Sequence, residues 1–105
     1  MEISKEDLLR IVKSLIDTKM PEGVVNVGFR LTEFETVSDT YYLSLIYVVP
    51  DNSEFLNSTR SFINSQLSIW NKSIINSIES FLDIRIIKEN SSIYSISEYN
   101  KKYKK

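Results

Sequence analysis

The sequence predicts an α+β domain, with an antiparallel sheet of three or four strands and one short and one long helix in the order α-β-β-α-β-β. Apolar residues recur at helical spacing in two segments and alternate with polar residues in the segments that follow each of them. The chain has 105 residues, of which 42% are hydrophobic. A chain of this size can bury a core without disulfides or metals. We therefore expect a single domain over residues 1–99, followed by a basic tail over residues 100–105.

The first element is a helix predicted from about residue 5 to residue 18. Ser4 and Asp7 form a variant of the capping box, which marks a helix N-terminus. Apolar residues then follow at helical spacing: Leu8, Ile11, Val12, Leu15 and Ile16. Pro21 and Gly23 end the helix, because proline disfavours helical geometry in the residue before it and glycine permits a sharp turn.

A β-hairpin follows, with strands predicted over residues 24–37 and 40–49 and a turn at Ser38-Asp39. The second strand is apolar on both faces. One face carries Tyr41, Leu43, Leu45, Tyr47 and Val49, and the other carries Tyr42, Ile46 and Val48. Because a sheet with helices on one side leaves its other face exposed, the second set needs a cover. Either a segment of the chain or a partner protein supplies it.

A long helix is predicted next, capped by Asn52 or Ser53 and continuing to Leu82. Its length would be about 43 Å, whereas a compact domain of this size has a radius of gyration of about 13 Å. Glycine and proline are absent from this segment, so we expect the helix to overhang the domain rather than to break. Trp70 lies midway along it and is expected to anchor the core beside Phe29 or Leu45.

The remaining residues predict a second hairpin. Alternation over residues 84–87 indicates a strand, the polar residues 89–92 indicate a turn, and residues 93–99 indicate a last strand.

The composition excludes most catalytic chemistry. The chain contains no histidine and no cysteine, which removes imidazole bases, thiol nucleophiles and Cys/His zinc sites. With two glycines, it has no glycine-rich phosphate loop. Glu33, Glu35 and Asp39 are the one candidate carboxylate cluster, and a solvated strand end explains them better than a metal site does. We expect no enzymatic activity and no cofactor.

Two candidate protein interfaces stand out. The first is the outer face of the second strand, with Tyr42, Ile46 and Val48. The second is a row of serines at helical spacing: Ser58, Ser61, Ser65 and Ser68. Small, weakly charged side chains let a partner approach closely and cost little to desolvate. The alternative is a solvent-facing surface that follows from a serine-rich composition.

The C-terminus combines lysines with tyrosines and is a third candidate site: Lys101, Lys102, Tyr103, Lys104 and Lys105. The chain has 13 basic and 14 acidic side chains, so the four lysines of the tail leave a net charge of −5 on the remainder. Basic residues between aromatic ones suit contact with phosphates and bases, or with an acidic protein. The alternative is a frayed end that aids solubility.

These features favour a non-enzymatic structural or adaptor subunit of a larger assembly, whose partners are copies of itself or other subunits. The absence of alanine and the abundance of Ile, Asn, Lys and Ser are typical of AT-rich coding sequences, so a phage virion is the expected setting. The alternatives are a small nucleic-acid-binding or regulatory protein that uses the tail, and an inhibitor of a host enzyme. The acidic N-terminus and the absence of a long apolar segment predict no membrane contact and a cytoplasmic protein, or one packaged in a virion assembled there.

Overall fold

The elements of the fold are given by a computed structural model that describes residues 3–104. They are α1 (Lys5–Thr18), β1 (Asn26–Glu33), β2 (Thr40–Val49), α2 (Arg60–Leu82), β3 (Arg85–Ser95) and α3 (Ile96–Tyr103). The order is therefore α-β-β-α-β-α. The predicted α+β class is confirmed, and the sheet has three of the three or four strands predicted. The predicted second hairpin is wrong, because residues 85–95 form one strand and a helix follows it.

The three strands form one mixed sheet in the order β1-β2-β3. β1 and β2 are antiparallel, with Val27 opposite Tyr47, whereas β2 and β3 are parallel, with Tyr47 opposite Ile93. The predicted purely antiparallel sheet is thus wrong. The connection over residues 50–84 contains α2, and a crossover of that length returns the chain to the end of the sheet where β2 began.

β3 is one continuous strand with an irregularity near its middle. Leu43 lies opposite Lys88, and two residues further along β2 Leu45 lies opposite Ser91, so β3 contains one extra residue. This extra residue forms a β-bulge within residues 89–90. The polar residues 89–92, which predict a hairpin turn, instead continue β3 and contain this bulge.

The core lies between one face of the sheet and the helices α1 and α2. Its most buried members are at most 1% exposed: Val12, Ile16, Leu43, Leu45, Tyr47, Val49, Ile74 and Ile78. Alternate residues of β2 supply the centre of this core, which confirms the inward face that the alternation predicts.

α2 is shorter than predicted because the chain breaks before it. Residues 54–57 form a 3-10 turn capped by Ser53, and Ser58 then adopts an extended conformation. The helix begins at Arg60, where the Thr59 hydroxyl accepts a hydrogen bond from the Phe62 N–H at 3.2 Å. Its 23 residues span about 35 Å. No helix within residues 3–104 is both long and apolar enough to cross a membrane.

Trp70 is half-buried and packs against the core. Its ring lies 5.1 Å from the ring of Tyr47 and 5.2 Å from that of Phe55. The sequence predicts Phe29 or Leu45 beside it, and Leu45 belongs to the buried core against which Trp70 packs. Phe55, contributed by the 3-10 turn, is a further neighbour that the sequence does not predict.

A buried hydrogen-bond network joins β2, α2 and β3. The Tyr47 hydroxyl donates to Asn71 Oδ1 at 2.8 Å, and Asn71 Nδ2 donates to Ser91 Oγ at 2.9 Å. Tyr47 is fully buried and Asn71 is 3% exposed. Burial raises the pKa of the Tyr47 phenol, which therefore remains a hydrogen-bond donor at neutral pH.

Replacing Asn71 by alanine leaves the Tyr47 hydroxyl buried without its acceptor. We expect Asn71→Ala to lower the free energy of unfolding by about 2 kcal/mol, measured by urea denaturation. Asn76→Ala is the matched control, because Asn76 is exposed on the same helix, and we expect it to change stability by less than about 0.5 kcal/mol. Equal losses in the two variants would contradict a structural role for the network.

Candidate functional site

The outer face of the sheet, opposite α1 and α2, is covered in part by α3. Gly28 of β1 lies opposite Ile46 of β2 on this face. A Cβ placed on Gly28 would lie 3.4 Å from the hydroxyl of Tyr99, which belongs to α3. Tyr94, which lies opposite Val48, contacts the ring of Tyr103 on the same helix. The chain itself therefore supplies a cover for the second apolar face of β2.

The three residues predicted to form an interface on this face differ in accessibility. Val48 is 3% exposed, so in the folded chain it offers no surface to a partner, which corrects the expectation for this residue. Ile46 and Tyr42 are half-buried. The Tyr42 ring meets the ring of Phe34 edge-on at 5.3 Å, so the connection after β1 shields this end of the face.

The start of α3 is fixed by a capping box and by a carboxylate from another part of the chain. The Ser95 hydroxyl accepts from the Glu98 N–H and donates to Glu98 Oε1, both at 3.1 Å. Asp51, in the loop after β2, accepts from the Ser97 N–H at 2.9 Å and from the Ser97 hydroxyl. Asp51 therefore anchors the helix to the end of the central strand.

The hydrogen bonds to Asp51 favour its ionised form. The bond from the Ser97 hydroxyl, followed by that from its N–H, lowers the pKa of the Asp51 carboxyl below its ordinary value of 3.8. Because the folded pKa is the lower one, this group stabilises the docked helix above the ordinary pKa. The contribution is lost as the pH falls through the lowered value.

The predicted boundary between residues 99 and 100 falls inside α3, which continues to Tyr103. Lys101 and Lys102 lie in its last turn, where positive charge stabilises the negative end of the helix dipole. Both lysines and Lys104 are exposed, and Lys105 lies outside the described residues. Residues 100–103 of the predicted tail therefore belong to α3.

Lys102 is held over the sheet by tyrosines. Its Nζ donates to the hydroxyl of Tyr94 at 2.9 Å and lies 5.1 Å from the centre of that ring. It also lies 5.6 Å from the ring centre of Tyr103. The bond from Lys102 lowers the pKa of the Tyr94 phenol, and the same bond raises the pKa of Lys102, so the lysine remains charged.

An open groove of about 520 Å³ separates α3 from the outer face of β1 and β2. We call it the α3 groove; its walls include Gly28, Arg30, Ser44, Tyr94, Tyr99 and Tyr103. The Tyr99 and Tyr103 rings lie 5.0 Å apart, and Tyr103 remains 47% exposed. The sequence singled out Tyr103 alone of these residues. The others were missed because their proximity depends on the strand register and on the direction of α3.

The predicted serine row divides into two parts. Ser61, Ser65 and Ser68 are exposed on α2, as a helical row requires. Ser58 lies outside α2, where it ends the 3-10 turn and its hydroxyl donates to the Glu54 carbonyl at 3.1 Å. The row on α2 therefore contains three of the four predicted residues.

The exposed surface of α2 also carries large apolar side chains. Phe62 is 46% exposed and Ile69 is 61% exposed. Lys72 is the one formally charged side chain between Ser61 and Ile78. We call Phe62, Ser65 and Ile69 the α2 surface; it combines apolar, small and uncharged side chains.

The carboxylates near the β1–β2 connection form a looser group than a metal site requires. Within residues 3–104, no three acidic side chains lie close enough together to hold a metal ion. Burial, together with the negative charges of Glu33 and Asp39, raises the pKa of the Tyr41 phenol. Asp39 has a φ of 53°, a left-handed conformation suited to the turn that it occupies.

No protein-family model, curated protein sequence or solved structure matches this chain. The surfaces described above are therefore the basis for assigning a function.

Removing the Asp51 carboxylate should release α3 from the end of β2. We expect Asp51→Ala to increase hydrogen exchange at the amides of residues 97–103 by at least tenfold, while the amides of β2 keep their protection. In the unaltered protein the same exchange should accelerate as the pH falls below 3.8, after correction for the intrinsic rate. Asn52→Ala changes the adjacent exposed residue and is the control. Unchanged protection of α3 in Asp51→Ala would contradict the anchoring role.

Proposed function

We propose that the protein is a non-enzymatic structural subunit that assembles through the α2 surface, with a second copy of the chain as its nearest partner. The observation that carries this proposal is the exposure of Phe62 and Ile69 on a helix surface with very little charge. Exposed large apolar side chains on one surface are typical of protein interfaces.

The spacing of these side chains suits pairing between two copies of α2. Phe62 and Ile69 are seven residues apart, so they lie on one side of the helix, two turns and about 10 Å from each other. Two antiparallel copies centred between Ser65 and Gln66 would place each Phe62 opposite Ile69 of the other copy. Ser65 lies at the centre, where a small side chain permits close approach of the two helices.

The energetics make this contact a weak one. Each of the four apolar side chains is about half exposed, so their burial would contribute about 3–6 kcal/mol in total. Association costs about 4–15 kcal/mol in lost translational and rotational freedom. Because the pairing uses the same surface on both copies, it closes at a dimer, and assembly of such dimers into a larger array would need a second surface. The absence of alanine and the abundance of Ile, Asn, Lys and Ser, a bias typical of AT-rich coding sequences, favour a phage virion as the setting.

A charge introduced into the α2 surface should prevent self-association. We expect the unaltered protein to sediment as dimers or larger species at concentrations of hundreds of micromolar, and Ile69→Lys to sediment as a monomer with an unchanged melting temperature. Val37→Lys is the matched control, because Val37 is 49% exposed in the β1–β2 connection, and it should leave association unchanged.

Salt separates this interface from an electrostatic one. Contacts between apolar side chains should persist or strengthen as the salt concentration rises, whereas contacts between opposite charges weaken. A monomeric unaltered protein under all of these conditions would contradict the proposed self-assembly.

A further inference from the structure

We propose that the α3 groove binds single-stranded nucleic acid, with a base stacked on Tyr103 and the adjacent phosphates contacted by Arg30 and the lysines of α3. This site lies on the opposite side of the sheet from the α2 surface and is independent of the self-assembly proposed above.

The aromatic side chains of the groove form a ready stacking platform. The Tyr103 ring packs at 5.0 Å against Tyr99 and at 6.2 Å, edge-on, against Tyr94, so its position is fixed by neighbouring rings. It is nevertheless 47% exposed. Aromatic side chains held in this way stack on bases of any sequence, because every base presents a π-face. The bases of a duplex are stacked on one another and are not available in this way.

The cations near the groove supply the complement to a phosphate backbone. Arg30 is exposed on β1 and lines the groove. Lys101 and Lys102 lie in the last turn of α3 and Lys104 follows the helix, and Lys102 is held beside Tyr94, which lines the groove. The formal charge of the whole chain is −1, so this concentration of positive charge is local.

Two carboxylates lie near the groove, and each accepts one hydrogen bond from a hydroxyl group. Glu98 accepts a hydrogen bond from Ser95 at 3.1 Å, and Glu89 accepts one from Ser44 at 3.4 Å. A strand that runs along α3 meets the lysines of the last turn rather than Glu98 at the start of the helix. An acidic peptide would satisfy the cations and leave the tyrosine ring unstacked, and for this reason nucleic acid is the favoured ligand.

Gly28 lets α3 approach the sheet closely at the floor of the groove. It has no side chain, and the nearest atom to a Cβ at this position would be the Tyr99 hydroxyl at 3.4 Å. A larger residue would therefore fill the space between the sheet and α3. The groove volume of about 520 Å³ lies within the usual range of ligand sites.

The binding experiment uses fluorescence anisotropy of a labelled 12-nucleotide oligothymidylate at low salt. Contact with three phosphates predicts that the logarithm of affinity falls against the logarithm of salt concentration with a slope of about −2. An abasic oligonucleotide of the same length should bind at least fivefold more weakly, because it lacks the stacking contact. Thymidine monophosphate and a 12-base-pair duplex should both bind more weakly than the oligothymidylate, because the first offers a single phosphate and the second has no unstacked base.

Variants assign the contacts to individual residues. Tyr103→Ala should weaken binding of the oligothymidylate at least fivefold, and Arg30→Gln should weaken binding and reduce the salt slope by about 0.7. Arg60→Gln is the matched control, because Arg60 is exposed on α2 on the opposite side of the sheet. Equal losses for Arg30→Gln and Arg60→Gln would show that attraction is non-specific and would overturn the proposal.

The two glycines of the chain provide a test that needs no variant. Gly28 lines the groove, whereas Gly23 lies near Phe55 on the other side of the sheet. In a ¹⁵N-resolved NMR titration with oligothymidylate, the Gly28 amide signal should shift and the Gly23 signal should stay in place. The proposal is overturned by shifts at both glycines or at neither, by abasic DNA or duplex that binds as tightly as the single strand, or by oligoglutamate that competes equally well.

Discussion

The apolar character of β2 on both of its faces is the constraint on which the rest of the structure depends. Leu43, Leu45 and Tyr47 face α1 and α2, while Ile46 and Val48 face the other way. A strand of this kind must lie in the centre of its sheet with a layer on each side. The chain meets this requirement with three strands, two helices on the inner face and α3 on the outer face.

The position of α3 follows from the parallel pairing of β3. Because α2 returns the chain across the sheet, β3 runs beside β2 in the same direction. The C-terminal ends of the two strands are therefore adjacent. Asp51, just after β2, therefore lies close to Ser97, just after β3, and the bond between them turns the chain back over the outer face. The parallel pairing of β3 with β2 therefore positions both the Asp51 anchor of α3 and the groove beneath this helix.

Local signals in the sequence predicted the elements better than their arrangement. The caps and periodicities located α1 and the β1–β2 hairpin. Periodicity located most of α2, but its predicted cap at Asn52 or Ser53 is wrong, because Thr59 caps the helix. The last helix also has a local signal that was overlooked, since Ser95 and Glu98 have the spacing of a capping box. The apolar alternation after Ile93 is the longer pattern, and it predicts a strand instead. The length of the connection over residues 50–84 is a further signal, because it permits a parallel neighbour for β2.

The candidate sites were predictable only where a single element carries them. The exposed serines of α2 could be read from helical spacing, and so could the cluster of lysines at the C-terminus. The α3 groove could not, because Arg30 and Tyr103 are far apart in the sequence and line one groove only through strand register and helix docking. Ser58 illustrates the opposite error: its spacing fits the row, but an extended residue separates the 3-10 turn from α2.

The short length of α3 couples its stability to whatever occupies the groove. A helix of eight residues is marginal in isolation, so α3 depends on Asp51, on its capping box and on contacts among Tyr94, Tyr99 and Tyr103. If a ligand binds only when α3 is docked, helix docking and ligand binding are linked equilibria. Docking strengthens binding, and binding stabilises the docked helix by the same free energy. The proposed nucleic-acid site would therefore be strongest where α3 is best anchored, and acidification that protonates Asp51 would weaken both together.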